Sequence, residues 1–183
     1  MKQKTLIALI LILALAVSMG GCFAKSDSSE TSATTVQQEP TASADTEKLN
    51  IGDRAPDFTA TLANGDTFTL SEHKDEAVLV NFWGTWCAPC VRELPSFAQL
   101  AQEGYTLVAI NCAQDKATVD AFINDNGYTF PIAYDEGGSI CTLYHTTIIP
   151  YTLIIRDGVI QNSFLGVPNF PYQEYKKAIE ACQ

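Results

Sequence analysis

The chain has 183 residues, 46% of them hydrophobic, and its 21 acidic side chains outweigh 11 basic ones to give a net charge of −10. That balance excludes nucleic acid and anionic lipid surfaces as partners held by charge, because both demand basic patches. No internal repeat is present, and the length suits one domain with its own core.

Residues 1–21 read as a secretory signal peptide. Met1-Lys2-Gln3-Lys4 is basic, Thr5 to Val17 is almost wholly apolar, and Ser18-Met19-Gly20-Gly21 leads by small residues to Cys22. The apolar stretch is shorter than the roughly 20 residues a membrane span needs. Gly20-Gly21-Cys22 resembles the lipobox of bacterial lipoproteins, which implies cleavage before Cys22 and a lipid on its thiol, although Met19 stands where Leu is usual. The other reading of Cys22 is an ordinary cysteine beside an uncleaved anchor. Both place the rest of the chain outside the cytoplasm, and loss of Lys2 and Lys4 would deepen the negative charge by two.

Residues 22–48 are rich in Ser, Thr, Ala and Gln and cannot bury enough apolar surface to fold. They are expected to form a tether, with a reach of roughly 30 Å from flexible-chain scaling.

The domain is expected over residues 49–183. Two short strands, residues 59–62 and 67–70, are predicted around an Asn64-Gly65 turn. The apolar run from Ala77 to Trp83 predicts a buried strand, and Val91, Leu94, Ala98 and Ala101 continue at helical spacing from Cys87, with Pro95 marking a kink. A strand is predicted over 106–111, then a helix over 117–126 with Asp115 as its N-cap and Gly127 as its stop. A short helix over 139–144 follows Phe130-Pro131-Ile132. After Pro150 the pattern predicts a hairpin of two strands, 151–156 and 159–165, about Asp157-Gly158, and a closing helix over 172–181. Early β/α alternation with a late hairpin argues an α/β fold, a central mixed sheet flanked by helices.

Trp86-Cys87-Ala88-Pro89-Cys90 lies where the strand meets the helix. Two cysteines three apart at a helix start share one face, close enough for a disulfide. The first meets the positive end of the helix dipole and unpaired N–H groups, which favour the thiolate that attacks disulfides. Structural zinc would need about four ligands, and the chain has no second C-x-x-C and only His73 and His145 as imidazoles, so no metal site is expected.

These residues together resemble the thioredoxin superfamily, and within it the membrane-anchored TlpA/ResA-type thiol–disulfide oxidoreductases, which are related to the AhpC/TSA peroxiredoxins. The resemblance covers residues 49–183. It is carried by Gly52, Ala55-Pro56-Asp57-Phe58, the run Val80-Asn81-Phe82-Trp83-Gly84-Thr85-Trp86-Cys87, Pro89-Cys90, Glu93, Pro95, Asp135, Tyr144, Ile149-Pro150 and Asp157-Gly158. It implies a thioredoxin-like fold with an added N-terminal β-hairpin, and a cis peptide at Ile149-Pro150 facing the disulfide. Three positions depart from relatives: Asn81 stands where thioredoxin has a buried Asp, Ala88 where some relatives have Glu, and Tyr151 where Thr is common after the cis-proline.

On this reading Cys87 is the exposed attacking thiol and Cys90 the shielded resolving thiol. Pro89 stiffens the loop, Trp86 sits at the rim and Trp83 in the core. Ile149, beside Pro150, offers its backbone to an extended substrate segment. Glu93 is the nearest group by sequence for proton transfer, though a solvated helix carboxylate fits the spacing equally. No cofactor is expected. The implied partners are disulfides of exported proteins and a membrane-embedded electron donor, the domain itself being a monomer on its lipid anchor. The resemblance favours a reductant, and Ala88-Pro89 lacks the His that marks strong oxidants such as DsbA.

Two other functions remain open at this level. One is a thiol peroxidase, although Thr85 lies too close to Cys87 for the peroxiredoxin pattern. The other is a copper-carrying module of the SCO type, which would need one more residue between the cysteines and would use His145. Cys112 and Cys141 either form a second disulfide, which export permits, or pack as separate thiols, as Cys182 is expected to do on the last helix.

Overall fold

The computed structural model describes residues 49–183, so the signal peptide, the tether and Cys22 lie outside the described residues. No helix among the described residues is long and apolar enough to cross a membrane.

Strand β1 (Thr59–Thr61) pairs antiparallel with β2 (Thr67–Thr69) as a separate hairpin, and a 3-10 turn over Leu70–His73 follows. The main elements are then β3 (Val78–Trp83), α1 (Ala88–Gln102), β4 (Leu107–Cys112), α2 (Lys116–Asn126), β5 (Ile132–Asp135), α3 (Ser139–Leu143), β6 (Tyr151–Arg156), β7 (Val159–Leu165) and α4 (Pro171–Glu180). The five-stranded sheet has the order β5-β4-β3-β6-β7. Strands β3, β4 and β5 are parallel, whereas β6 runs antiparallel to β3 and β7 antiparallel to β6.

Central position explains the composition of β3. All six of its residues are buried, as expected of a strand covered on both faces. Alternation sends Val78, Val80 and Phe82 to a core shared with Phe58, Phe68 and Tyr144, and Leu79 and Trp83 to a second core with Leu94, Phe97, Tyr175 and Ile179. Asn81 therefore points toward α1 and α4.

The N-terminal segment protects both sheet edges. Residues around Leu62 bridge to Ala133 on β5, with Ala63 N–H donating to the Ile132 carbonyl at 2.8 Å. Arg54 bridges to Val159 on β7, and Gly52 N–H donates to the Ile160 carbonyl at 2.8 Å. These bridges cover the edge strands near Ala133 and Val159.

Local signals explain most element ends. Asp115 caps α2 by accepting from Thr118 N–H at 2.9 Å, and Gly127 ends it in the left-handed region at φ 68°. Asp157 and Gly158 both have positive φ, the geometry of the tight hairpin turn joining β6 to β7. Two elements were not expected from the sequence. Strand β5 has only four residues behind Pro131, and its pairing with β4 decides its conformation. The 3-10 turn is likewise too short for periodicity to reveal. Helix α1 runs continuously from Ala88 to Gln102 with Pro95 inside it.

Candidate active site

Cys87 is the N-cap of α1, Pro89 lies in its first turn, and Cys90 is one turn inside. Pro is tolerated there because the first N–H groups of a helix have no intrahelical partner. The two cysteines form a disulfide with Cα atoms 5.2 Å apart. Cys90 N–H donates to Cys87 Sγ at 3.3 Å, so the sulfur already faces a helix N–H group. Ile149-Pro150 is cis, as the resemblance implied, and the Ile149 carbonyl oxygen lies 3.9 Å from Cys87 Sγ.

The expected contrast between an exposed Cys87 and a shielded Cys90 needs correction. Cys90 is fully buried, and Cys87 is only 5% exposed, because the Ile149 carbonyl and the turn from Gly84 close around it. Trp86, in contrast, is 70% exposed and stands at the rim. A Cβ on Gly84 would lie 2.9 Å from Trp86 Nε1, so the indole rests directly against the glycine. Trp83 is fully buried in the core beneath α1.

Gln114, which no sequence signal singled out, holds the turn from outside. Its Oε1 accepts from Thr85 N–H at 2.8 Å and from Asn111 Nδ2 at 3.1 Å. Its Nε2 donates to Thr85 Oγ1 at 2.8 Å. The amide thus ties the redox loop to the end of β4.

Glu93 is not a solvated helix carboxylate. It is fully buried on the same face of α1 as Cys90, three residues away. Asn81 Nδ2 donates to Glu93 Oε1 at 2.9 Å and to Thr152 Oγ1 at 2.9 Å, while Tyr175 OH donates to Glu93 Oε2 at 2.7 Å. The Asn81–Thr152 contact follows from register, since the two residues face each other across β3 and β6. Burial pushes the Glu93 carboxyl up to about 7 against the opposing hydrogen bonds from Tyr175 and Asn81. Burial, with the nearby Glu93 carboxylate, also pushes the Tyr175 phenol up, so it remains a donor.

Cys112, at the end of β4, and Cys141, in α3, are joined in a second disulfide with Cα atoms 6.1 Å apart. Asp135 steadies α3 beside it, accepting from Ile140 N–H at 3.1 Å, Cys141 N–H at 2.8 Å and Ser139 Oγ at 3.1 Å. Cys182 is free and half-buried just beyond α4. Among the described residues, no three His, Cys, Asp or Glu side chains gather as a metal site.

Residues 51–163 match the AhpC/TSA family. Thiol-disulfide oxidoreductase ResA of Bacillus thuringiensis (strain Al Hakam) is 34% identical over 128 residues, which cover 67% of this chain and 74% of that protein. A putative thiol:disulfide interchange protein DsbE from Chlorobium tepidum superposes with a TM-score of 0.65 at 26% identity, covering 74% of this chain and 99% of the other. StoA from Bacillus subtilis superposes with a TM-score of 0.60 at 27% identity, covering 67% and 96% respectively. The matched residues contain the C-x-x-C turn, the buried Glu93 and the cis-proline loop. The chain belongs to the AhpC/TSA family, as a ResA-like thiol–disulfide oxidoreductase of thioredoxin-like fold.

Proposed function

We propose that the chain is an extracytoplasmic protein-disulfide reductase, held at the outer face of a bacterial cell membrane by a lipid on Cys22. The signal-like residues 1–21 and the Gly20-Gly21-Cys22 sequence support the location. The observation that carries the chemistry is the disulfide at the start of α1 with a buried carboxyl one turn further along the same helix face.

In the reduced protein the Cys87 thiolate attacks a substrate disulfide, forming a mixed disulfide and releasing one substrate thiolate. Cys90 then attacks Cys87 Sγ, which releases the second substrate thiolate and closes the Cys87–Cys90 bond. Burial opposes the Cys90 thiolate, so this second step needs a proton acceptor. Glu93, with its carboxyl pushed up to about 7, changes protonation at neutral pH and takes that role. An extended substrate segment pairs with the backbone of Ile149, and Trp86 and Pro89 border the groove. A membrane-embedded dithiol donor restores the reduced pair.

The direction of electron flow is tested by equilibrating Cys87–Cys90 against a redox buffer. A potential near thioredoxin's, about −270 mV, supports the reductase, whereas one near that of DsbA, about −120 mV, overturns it. Replacing Cys90→Ser should leave mixed disulfides on Cys87, and their identities give the substrates.

A further inference from the structure

The Cys112–Cys141 disulfide has no part in the chemistry above, and Cys141, 7% exposed, packs with Phe82 and Tyr144 in the apolar core while also bordering open space. Cys141 lines a cavity of about 430 Å³ together with His145, Ile148, Tyr151 and Leu165. The cavity reaches toward the redox centre: Ile148, 60% exposed, immediately precedes Ile149, whose carbonyl faces Cys87. Cys112 is itself only half-buried, at the last position of β4. The bond is also not the sole attachment of α3, because the three hydrogen bonds to Asp135 would survive its opening.

We infer that Cys112–Cys141 is a second thiol-exchange site, whose substrate is a protein dithiol reaching Cys141 through this cavity. One partner thiolate attacks Cys141 Sγ, the bond to Cys112 breaks, and Cys112 leaves as a thiolate that takes a proton from solvent. The partner is then joined to Cys141 by a mixed disulfide. Its second thiolate attacks its own bonded sulfur, which forms the partner's disulfide and releases Cys141 as a thiolate, again protonated by solvent. Two electrons pass from the partner to this chain. Cys141 is the sulfur attacked because it, rather than Cys112, forms the cavity wall, and exchange depends on which sulfur can be reached. With both disulfides exchangeable the chain stores two electron pairs instead of one.

This site is independent of the reading of Cys87 and Cys90, so its test removes them. The full chain carrying Cys87→Ser and Cys90→Ser is oxidised, its free thiols are blocked with iodoacetamide, and dithiothreitol is added in native buffer as the probe. A second, mass-distinct alkylating label then reads Cys112 and Cys141 separately by peptide mass. The expected result is labelling of both cysteines at a rate within about tenfold of that in denaturant, since an accessible disulfide exchanges without unfolding. Limiting reduced glutathione should leave its adduct on the Cys141 peptide. Labelling only after denaturant, or an adduct on Cys112, overturns the inference. If the double variant fails to fold, the same two-label map on the unsubstituted chain gives the answer, because every cysteine is read on its own peptide.

Discussion

The Tyr175 hydroxyl donates a 2.7 Å hydrogen bond to Glu93 Oε2, tying the last helix to the helix that carries both redox cysteines. The contact joins residues 82 positions apart and lies within the apolar core formed by Leu94, Phe97 and Ile179. A carboxylate there has lost its water and has only two hydrogen-bond donors as compensation, which is why its proton is held to about pH 7.

That raised value has a consequence for stability with a definite sign. The folded protein holds the Glu93 proton more tightly than the unfolded chain, whose carboxyl titrates near 4.5. The ionised form is therefore a folding penalty that is absent below about pH 4.5, grows as pH rises, and is complete above about pH 7, reaching about 3 kcal/mol. Replacing Glu93→Gln should remove this slope. Urea unfolding of the oxidised proteins should show the variant gaining on the wild type between pH 5 and pH 8. A constant difference over that interval would mean that the carboxyl is not held protonated.

Reduced Cys87 and Cys90 should differ in reactivity despite the burial of both. Cys87 has the Cys90 N–H at 3.3 Å and the mouth of the loop beside it, whereas Cys90 is fully enclosed under α1. Iodoacetamide at mildly acidic pH should label Cys87 first, by about tenfold or more, because the thiolate is the reacting form. Peptide mapping after short exposure checks this, and faster labelling of Cys90 would reverse the assignment of attacking and resolving thiols.

Gln114→Ala should loosen the redox loop. Three hydrogen bonds disappear, two of them to Thr85, and the cost should be about 1–3 kcal/mol of unfolding free energy. Hydrogen exchange at the Thr85 amide should accelerate by more than global destabilisation explains. Unchanged protection at that amide would show that Gln114 does not hold the turn.

Gly84→Ala should disturb Trp86 while sparing the fold. The new methyl would meet the indole at 2.9 Å, and the indole, being 70% exposed, is free to swing away. Stability should change by less than about 1 kcal/mol. Tryptophan fluorescence should shift, and KM for a protein disulfide should rise more than kcat falls. Unaltered emission would mean that the indole does not rest on Gly84.

The redox turn, the buried strand leading into it, the N-cap at Asp115 and the Asp157-Gly158 hairpin were legible because each is written in neighbouring residues. Helical spacing of Val91, Leu94, Ala98 and Ala101 gave α1, but the side it buries is that of Cys90, Glu93, Leu94 and Phe97. What that side would meet was not legible. The same spacing serves a solvated carboxylate or a buried one, and only the packing of α4 over β3 encloses Glu93 between Asn81 and Tyr175. Strand β5 depends on pairing with β4, Gln114 reaches back 29 positions to Thr85, and the enclosure of Cys87 depends on a carbonyl 62 positions away. The sequence by itself determined most element types, the turns and the place of the Cys87–Cys90 pair between strand and helix, since dihedral preference and side-chain periodicity are local properties. The tertiary structure decided burial, proton affinity and access, because those depend on which distant surfaces the sheet register brings together to exclude water.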